Sequence, residues 1–207
     1  MNYLAHLFLS GDDEEIILGN FIGDYVKGHN FKKYSENVKK GIILHRNIDM
    51  FTDKNPVFRA SKSRFKGIYG KYSGIMADII YDHYLAMNWG LYTVKSLDDF
   101  VNQIHEILKK AYGILPPVVK SFIPSFINND WLNAYKTIEG IEIVLDKMSK
   151  RTSLPDETKT AIRIFRDEYE YIEEEFLAFF PALMKFVSGK FKIEFRDMPD
   201  SISGTHG

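Results

Sequence analysis

The sequence predicts an all-α protein, built as a single-domain bundle of many helices. Three observations predict this class. Apolar residues recur at helical spacing through most of the 207 residues, capping residues precede those segments, and strand signals are scarce. Only the stretch KFKIEF at 190–195 alternates as a strand does. We expect one helical domain over 1–195 and a frayed tail over 196–207, because that tail is polar and rich in glycine.

Each expected helix begins at a residue that can cap it or at a proline. In chain order these starts are the acids at 12–15, Ser35, Pro56, Ser73, Ser96, the proline pair at 116–117 and Asp130, and two or three helices then follow over 141–187. Glycine, proline and polar breaks set the expected ends. The first of these helices should run to Gly28 and the second to about Asp53, with later breaks at 67–72 and 153–156 and a kink or restart at Pro181.

Composition excludes several classes of protein. The chain has no cysteine, which rules out disulfides, thiolate nucleophiles and metal sites with cysteine ligands. Its opening residues lack the basic region and the long apolar region of a signal peptide, and no apolar stretch is long enough for a membrane span. We therefore expect a cytoplasmic protein that does not enter a membrane. The oligomeric state stays open.

Charge is distributed unevenly along the chain. Residues 27–71 hold twelve Lys and Arg against three acids, a formal charge of +9, whereas residues 156–175 hold eight acids against three bases, a charge of −5. Either these are solvated faces that balance each other, or the basic segment is a surface for an acidic partner. Aromatic residues within the basic segment also suit nucleic acid, but at helical spacing they are more often core residues. Nucleic acid is therefore the minority interpretation.

Polar side chains that can bind metal recur four residues apart on helices that are otherwise apolar, so each pair shares a helix face. The pairs are Asn20 with Asp24, His45 with Asp49, and Asp78 with Asp82, which His83 follows directly. His6 lies in the apolar opening YLAHLFL. A carboxylate buried in a core is normally paired, hydrogen-bonded or bound to a metal.

Taken singly, each of these residues has an ordinary explanation as an in-helix ion pair, a hydrogen-bonded core residue or an exposed acid. Taken together, acids on three helices with interleaved histidines predict a shared site for a divalent cation. Carboxylate and imidazole ligands suit Mn²⁺, Mg²⁺ or Fe²⁺ better than a structural zinc. Asp53 is either a rim residue of this site or the polar end of its helix.

Five segments of the chain resemble the acyl carrier protein phosphodiesterase family. They are MNYLAHLFLS at 1–10, GNFIGDYVKG at 19–28, GIILHRNIDMFTD at 41–53, IIYDHYLAMNW at 79–89 and, more weakly, MSKR at 148–151. Enzymes of this family remove the 4′-phosphopantetheine arm from holo acyl carrier protein, a carrier of fatty acid biosynthesis. The family is distantly similar to HD-type phosphohydrolases, which are all-helical and hold a divalent metal between His and Asp. This chain lacks a His-Asp dipeptide and has Asp82-His83 in reverse order, so the ligands do not transfer one to one.

The resemblance implies hydrolysis of the phosphodiester between a serine of the carrier and pantetheine, aided by Mn²⁺ or Mg²⁺, with Fe²⁺ as a further candidate. The expected metal ligands are Asp24, His45, Asp49, Asp78 and Asp82. The expected catalytic residues are His6, Asp24, Arg46 and His83. Arg46 would contact phosphate oxygens, and His6 or His83 would protonate the leaving serine oxygen.

The resemblance also implies that the basic segment meets an acidic carrier. The lysines expected to bind it are Lys39, Lys40, Lys62 and Lys66. Two other functions remain open from the sequence. One is a related phosphohydrolase acting on a small phosphodiester or nucleotide, and the other is a helical protein that binds the carrier without catalysis.

Overall fold

The structure is a computed structural model that describes residues 2–199, apart from the side chain of Arg151. Within that range the chain is helical and has no strand, which confirms the all-α prediction. The α-helices are α1 (Tyr3–Phe8), α2 (Glu14–Phe21), α3 (Glu36–Lys54), α4 (Pro56–Ser63), α5 (Lys66–Tyr69), α6 (Ser73–Met87), α7 (Leu97–Lys110), α8 (Pro117–Asn128), α9 (Trp131–Ala134), α10 (Ile138–Arg151), α11 (Thr158–Asp167) and α12 (Tyr169–Phe191). Short 3-10 helices join them: η1 (Gly23–Tyr25), η2 (Gly28–Lys33), η3 (Gly70–Tyr72), η4 (Trp89–Leu91) and η5 (Tyr112–Ile114).

Helices α2 and α3 pack with their backbones in contact. A Cβ atom added to Gly19 would lie 2.1 Å from the carbonyl oxygen of Val38, and one added to Gly41 would lie 2.2 Å from that of Ile16. No side chain fits between the two helices at this crossing. The end of α2 is thereby held against the middle of α3, where the polar residues of both helices lie.

Helix α12 supplies much of the aromatic core. Its Phe176 and Phe179 are fully buried, and both rings contact Tyr81 of α6. Phe179 also contacts Phe58 of α4. Burial of a large apolar side chain stabilises a fold by roughly 1.5–3 kcal/mol. These contacts join α4, α6 and α12 into one core.

Part of the basic segment is neutralised within the molecule. The Arg64 guanidinium lies 3.0 Å from a Glu168 carboxylate oxygen and 2.8 Å from one of Glu175. Both acids belong to the acidic segment at 156–175. Of the two explanations of the uneven charge, mutual neutralisation of the basic and acidic segments therefore applies at Arg64.

The expected helix starts are mostly confirmed. The Ser35 hydroxyl accepts from the Val38 amide and caps α3, and Pro56 is the first residue of α4. The Ser96 hydroxyl accepts from the Asp99 amide and caps α7. One expected cap is wrong, because Ser73 is the first residue of α6 rather than its cap. Asp130 does occupy the N-cap position of α9, but at φ 47° and without a capping hydrogen bond from its side chain.

Two expected boundaries also differ from the structure. The helix predicted over 12–28 ends at Phe21 and gives way to η1. Pro181 lies inside α12, which continues through it, whereas the predicted break at 153–156 is confirmed between α10 and α11. The alternating stretch at 190–195 is not a strand, because α12 ends at Phe191 and the next residues are irregular. Its alternation has another cause, since Ile193 is buried and the Phe195 ring stacks on Phe8 without any partner strand.

The described part of the expected tail, residues 196–199, is tied to the rest of the chain. The Val94 amide donates to the Asp197 carbonyl at 2.8 Å, and Met198 packs against the core. Residues 200–207 lie outside the described residues, and fraying there stays a prediction. Across residues 2–199, none of the helices combines the length and apolar character that crossing a membrane requires.

Candidate metal centre

Two buried histidine rings form the middle of the candidate site. His6 of α1 and His45 of α3 stack with their centroids 4.1 Å apart and their planes 20° from parallel. They are 4% and 6% exposed. Gly23 makes room for them, since a Cβ there would lie 2.3 Å from Cγ of His45. The turn at Gly23 that ends the α2 region therefore leaves bare backbone for the imidazole to pack against.

One asparagine orients both rings. The Asn20 side-chain amide donates to the His6 carbonyl at 2.6 Å and to the Ser10 hydroxyl at 2.9 Å, so its Oδ1 atom is left to accept. His6 Nδ1 lies 2.8 Å from that Oδ1, and His45 Nδ1 lies 2.8 Å from the Asn20 main-chain carbonyl. Both acceptors require a proton on Nδ1. Each ring, when neutral, therefore carries its lone pair on Nε2.

The two Nε2 atoms face carboxylates. Nε2 of His6 is 3.2 Å from Oδ1 of Asp49, and Nε2 of His45 is 3.3 Å from its Oδ2 and 3.1 Å from Oδ1 of Asp24. Both Nε2 atoms are buried, and neither makes a hydrogen bond of good geometry to a described residue. Three possible ligand atoms lie within 4.8 Å of one another, one each from His6, His45 and Asp49. Two lone pairs and a carboxylate that converge in this way need a positive charge between them.

The carboxylates also set the protonation of the rings. Burial and the neighbouring His45 lower the pKa of His6 to about 4. Burial acts to lower the pKa of His45, but Asp24 and Asp49 outweigh it and raise that pKa to about 9. Burial acts to raise the pKa of Asp49, yet the two histidines hold it below its ordinary value. The pocket therefore favours two negative carboxylates around one cationic site, which a proton occupies on His45 or a metal ion can occupy instead.

Asp24 reaches the site from the turn rather than from a helix. The expected helix face shared by Asn20 and Asp24 does not exist, because α2 ends at Phe21 and Asp24 lies in η1. Both residues nevertheless reach His45. The Asp24 side chain is 73% exposed, compared with 40% for Asp49. The neighbouring His45 ring lowers the pKa of Asp24, so this carboxylate is ionised at the mouth of the site.

Arg46 braces the segment that carries Asp24. Its guanidinium donates to the carbonyl of Val26 at 2.7 Å and to that of Gly28 at 3.4 Å. It also lies over the Phe31 ring, 5.3 Å from the centroid. The expected contact of Arg46 with phosphate stays a prediction, because these bonds occupy part of its donor set.

Asp82 and His83, which were expected at the site, have other surroundings in the structure. The fully buried Asp82 carboxylate accepts from the amides of Leu4 at 2.7 Å and Ala5 at 3.2 Å, at the start of α1. His83 Nδ1 bonds the Tyr135 carbonyl at 2.7 Å, and Nε2 bonds the Tyr169 hydroxyl at 3.0 Å.

The structure thus uses Asp82 to hold α1 and His83 to hold α9 and α12, and it brings neither into the cluster of His6, His45 and Asp49. Asp78 lies on the same helix as these two residues, and burial raises its pKa. Metal binding by Asp82 and acid catalysis by His83 gain no support from these positions. Asp49 is among the charges that raise the pKa of Asp78, and metal binding by Asp78 stays a prediction. His6, expected as a catalytic acid, is instead a metal-ligand candidate.

The four expected docking lysines do not share one patch. Lys39 is paired with Glu36 at 2.7 Å, while Lys62 lies 3.9 Å from Asp53 at the other end of α3. From residue 39 to residue 53 that helix rises about 21 Å at 1.5 Å per residue. Lys40 follows Lys39, and the exposed Lys66 opens α5 beyond α4. Their role in docking stays a prediction for each lysine separately.

Sequence reasoning underrated Asn20 and did not consider Gly23 or Ser10. Asn20 was expected as one member of a helix-face pair, whereas the structure gives it hydrogen bonds to both histidines. The signal was present in the spacing, since the polar residue Asn20 interrupts an apolar helix that also contains Gly19 and ends near Gly23. The spacing does not indicate which other helix each of these faces will pack against.

Comparison with known proteins decides the family. The model of the family described as acyl carrier protein phosphodiesterase matches residues 1–183. The chain belongs to this family. All of His6, Asn20, Asp24, His45 and Asp49 lie inside the matched range.

Curated members of the acyl carrier protein phosphodiesterase family resemble the chain over most of its length. The protein of that name from Yersinia enterocolitica is 29% identical over 185 residues, covering 89% of this chain and 96% of its own. The protein of the same name from Serratia proteamaculans is 30% identical over 186 residues, with the same coverage. No solved structure matches the chain, so the expected likeness to HD-type phosphohydrolases stays a prediction.

Proposed function

We propose that this protein hydrolyses the phosphodiester that joins 4′-phosphopantetheine to a serine of holo acyl carrier protein, with a divalent cation held by His6, His45 and Asp49. Membership of the acyl carrier protein phosphodiesterase family supports the reaction class, a phosphodiesterase acting on that carrier. The observation that carries the metal is the pair of buried Nε2 atoms facing the Asp49 carboxylate without hydrogen bonds to described residues.

The residues of the cluster fit a divalent cation. Asn20 fixes the protons of both rings on Nδ1 and so keeps both Nε2 lone pairs free for a ligand bond. Two imidazoles with a carboxylate suit Mn²⁺ or Fe²⁺ better than Mg²⁺, which prefers oxygen ligands alone. A divalent cation held there supplies a Lewis acid that activates water and neutralises phosphoryl oxygens.

Asp24 has the position of a proton acceptor. It is ionised, it lies 3.1 Å from His45, and it is the most exposed side chain of the site. We assign it the task of taking a proton from the attacking water and returning it to the leaving serine oxygen. This assignment replaces the expected acid catalysis by His6 or His83, whose ring nitrogens face away from solvent. Arg46 acts as a positioning residue, because it holds the main chain at Val26 and Gly28, directly after the Asp24 turn.

The test is incubation of the protein with holo acyl carrier protein and Mn²⁺, followed by intact mass spectrometry. We expect the carrier to lose the mass of phosphopantetheine, and a chelator added in excess to stop that loss. Hydrolysis of a generic phosphodiester without action on the carrier would favour a phosphohydrolase for small substrates. Binding of the carrier without any loss of mass, at every metal tried, would favour a non-catalytic binding protein.

A further inference from the structure

Two segments that border the candidate site run side by side. Tyr25, next to Asp24, contacts Phe122 of α8 with ring centroids 5.5 Å apart. At the other end of the same segments, Tyr34 and Ile114 line one groove of about 340 Å³. The segments 25–35 and 112–122 therefore meet at both ends. We call the surface between these two contacts the docking furrow, with its near end at Tyr25 and its far end at the groove of Tyr34 and Ile114.

The far end of the docking furrow is shallow and mixed in character. Its lining residues are Glu15, Lys33, Tyr34, Ser35, Val38 and Ile114. The near end is aromatic, since the hydroxyls of Tyr3 and Tyr25 are hydrogen-bonded at 2.8 Å and both rings contact Phe122. Tyr25 thus joins the furrow directly to the turn that carries Asp24.

Exposed apolar side chains are concentrated along the second segment. Tyr112, Ile114 and Val118 are 46%, 56% and 61% exposed, all within seven residues. Single exposed apolar residues are ordinary on a protein surface, but a group of this kind beside a candidate site marks a surface that another molecule covers.

The two segments of the docking furrow carry basic side chains and no acidic ones. Neither residues 25–35 nor residues 112–122 contain an Asp or a Glu. Lys27, Lys32 and Lys33 of the first segment are exposed, and Glu15 is the acid at the far end. An apolar row with lysines along one edge is complementary to an amphipathic helix that carries acids beside its apolar face.

We propose that the docking furrow binds an acidic amphipathic helix of the protein substrate, and that the arm of that substrate enters the site past Tyr25 and Phe122. The inference rests on the proposed function for the identity of the substrate. It places docking on η2 and α8, whereas Lys62 and Lys66 lie beyond the other end of α3.

The charge reversals Lys32→Glu and Lys33→Glu, made together, test the basic edge. We expect KM for holo acyl carrier protein to rise about tenfold with kcat nearly unchanged, since rim charges act mainly on association. The wild-type KM should rise with salt, and the variant's KM should depend on salt less. The double reversal Lys62→Glu and Lys66→Glu is the matched comparison and should change KM less than twofold. The opposite ranking of the two double variants would overturn the inference.

Val118→Asp tests the exposed apolar side chains of the second segment. Because Val118 is 61% exposed, the change places a charge on the surface without disturbing the core. We expect KM for the holo carrier to rise about fivefold or more. Val94→Asp is the control, since Val94 is 71% exposed and lies outside both segments of the furrow. Equal effects of Val118→Asp and Val94→Asp would show that the furrow has no special role.

Binding of the apo carrier, which lacks the arm, separates this inference from the proposed function. Fluorescence anisotropy of labelled apo carrier should report binding to the wild type, and weaker binding to the Lys32/Lys33 variant. If the protein hydrolyses no holo carrier and this difference persists, the proposed reaction fails and the docking furrow stands. If hydrolysis occurs and the variants bind apo carrier as the wild type does, the furrow fails and the proposed reaction stands.

Discussion

The chain contains two buried groups of histidine and aspartate that differ in how their polar atoms are used. In the first group, His6 and His45 have Nε2 atoms that make no hydrogen bond to a described residue, opposite Asp49 and near the surface. In the second group, Asp82 and His83 direct their polar atoms to main-chain amides, a carbonyl and a hydroxyl.

This difference distinguishes residues that support the fold from candidate site residues more clearly than residue type does. Buried polar groups are nearly always hydrogen-bonded, so a buried atom that lacks a partner needs an explanation. Asp82 and His83 have that explanation within the chain. The Nε2 atoms of His6 and His45 have only the carboxylates of Asp49 and Asp24 beside them, and the proposed cation would complete their bonding.

The largest expected effect is loss of activity on changing the first group. Asp49→Asn keeps the size of the side chain but removes the charge that both histidines face and that would bind the proposed cation. We expect kcat/KM for holo acyl carrier protein to fall at least about 1,000-fold, beyond the 10–100-fold typical of residues that only support a ligand. Circular dichroism should show a folded protein. Asp98→Asn, an exposed acid paired with Lys136, is the control, and a loss below tenfold for Asp49→Asn would remove the proposed centre.

The second effect is loss of stability on changing the second group. Asp82→Ala leaves the buried amides of Leu4 and Ala5 without an acceptor, and an unsatisfied buried donor costs about 1–3 kcal/mol. We expect the free energy of unfolding, measured with urea, to fall by about 3 kcal/mol. Asp82→Asn retains one acceptor oxygen and should lose less. Normal stability with lost activity would instead make Asp82 a ligand and break the comparison.

The third effect concerns Asn20, which fixes the orientation of the His6 and His45 rings. Asn20→Leu preserves side-chain volume but removes the acceptor of His6 Nδ1. We expect Mn²⁺ affinity, measured by isothermal titration calorimetry, to weaken by about 10–100-fold. Asn88→Leu changes a half-buried asparagine that bonds Glu173 instead and should leave the affinity unchanged. Similar affinities for the Asn20 variant and the wild type would deny Asn20 its orienting role.

The smallest effect is a pH dependence from the second group. Burial lowers the pKa of His83 below its ordinary value of 6.5. The unfolded chain therefore binds the proton more readily, so this histidine's contribution is present above about pH 6.5 and is lost as pH falls below it. In His83→Asn the fall of unfolding free energy between about pH 6.5 and 5 should be shallower, by at most about 1.4 kcal/mol per pH unit. An unchanged slope in urea titrations would show that His83 does not remain neutral in the fold.

The sequence predicted the all-α class and half of the site for a physical reason. His45 and Asp49 are four residues apart on a long capped helix, and spacing alone places them on one face. Spacing also placed Asp78 and Asp82 on one face, but it carries no information about which element that face will meet. Asp82 accepts hydrogen bonds from amides at the start of α1, and the first of these, that of Leu4, lies 78 positions away along the chain.

The end of α2 could not be predicted from the sequence for a related reason. The acids at its start and Gly28 at its expected end describe a good isolated helix. The helix stops at Phe21, and the turn that follows places the backbone of Gly23 against the His45 ring, which is a tertiary contact. Because α2 ends early, Asp24 can turn toward His45. The wrongly predicted helix end therefore lies at the candidate site itself.

Every proposed ligand, together with Asn20 and Asp24, comes from the first 49 residues of the chain. Contacts over such short separations form quickly, because little chain entropy is lost when they close. During synthesis, α1, α2 and α3 leave the ribosome well before the amides of α1 meet Asp82. If the proposed cation binds there, a nascent chain would be able to capture it before the later helices close around the centre.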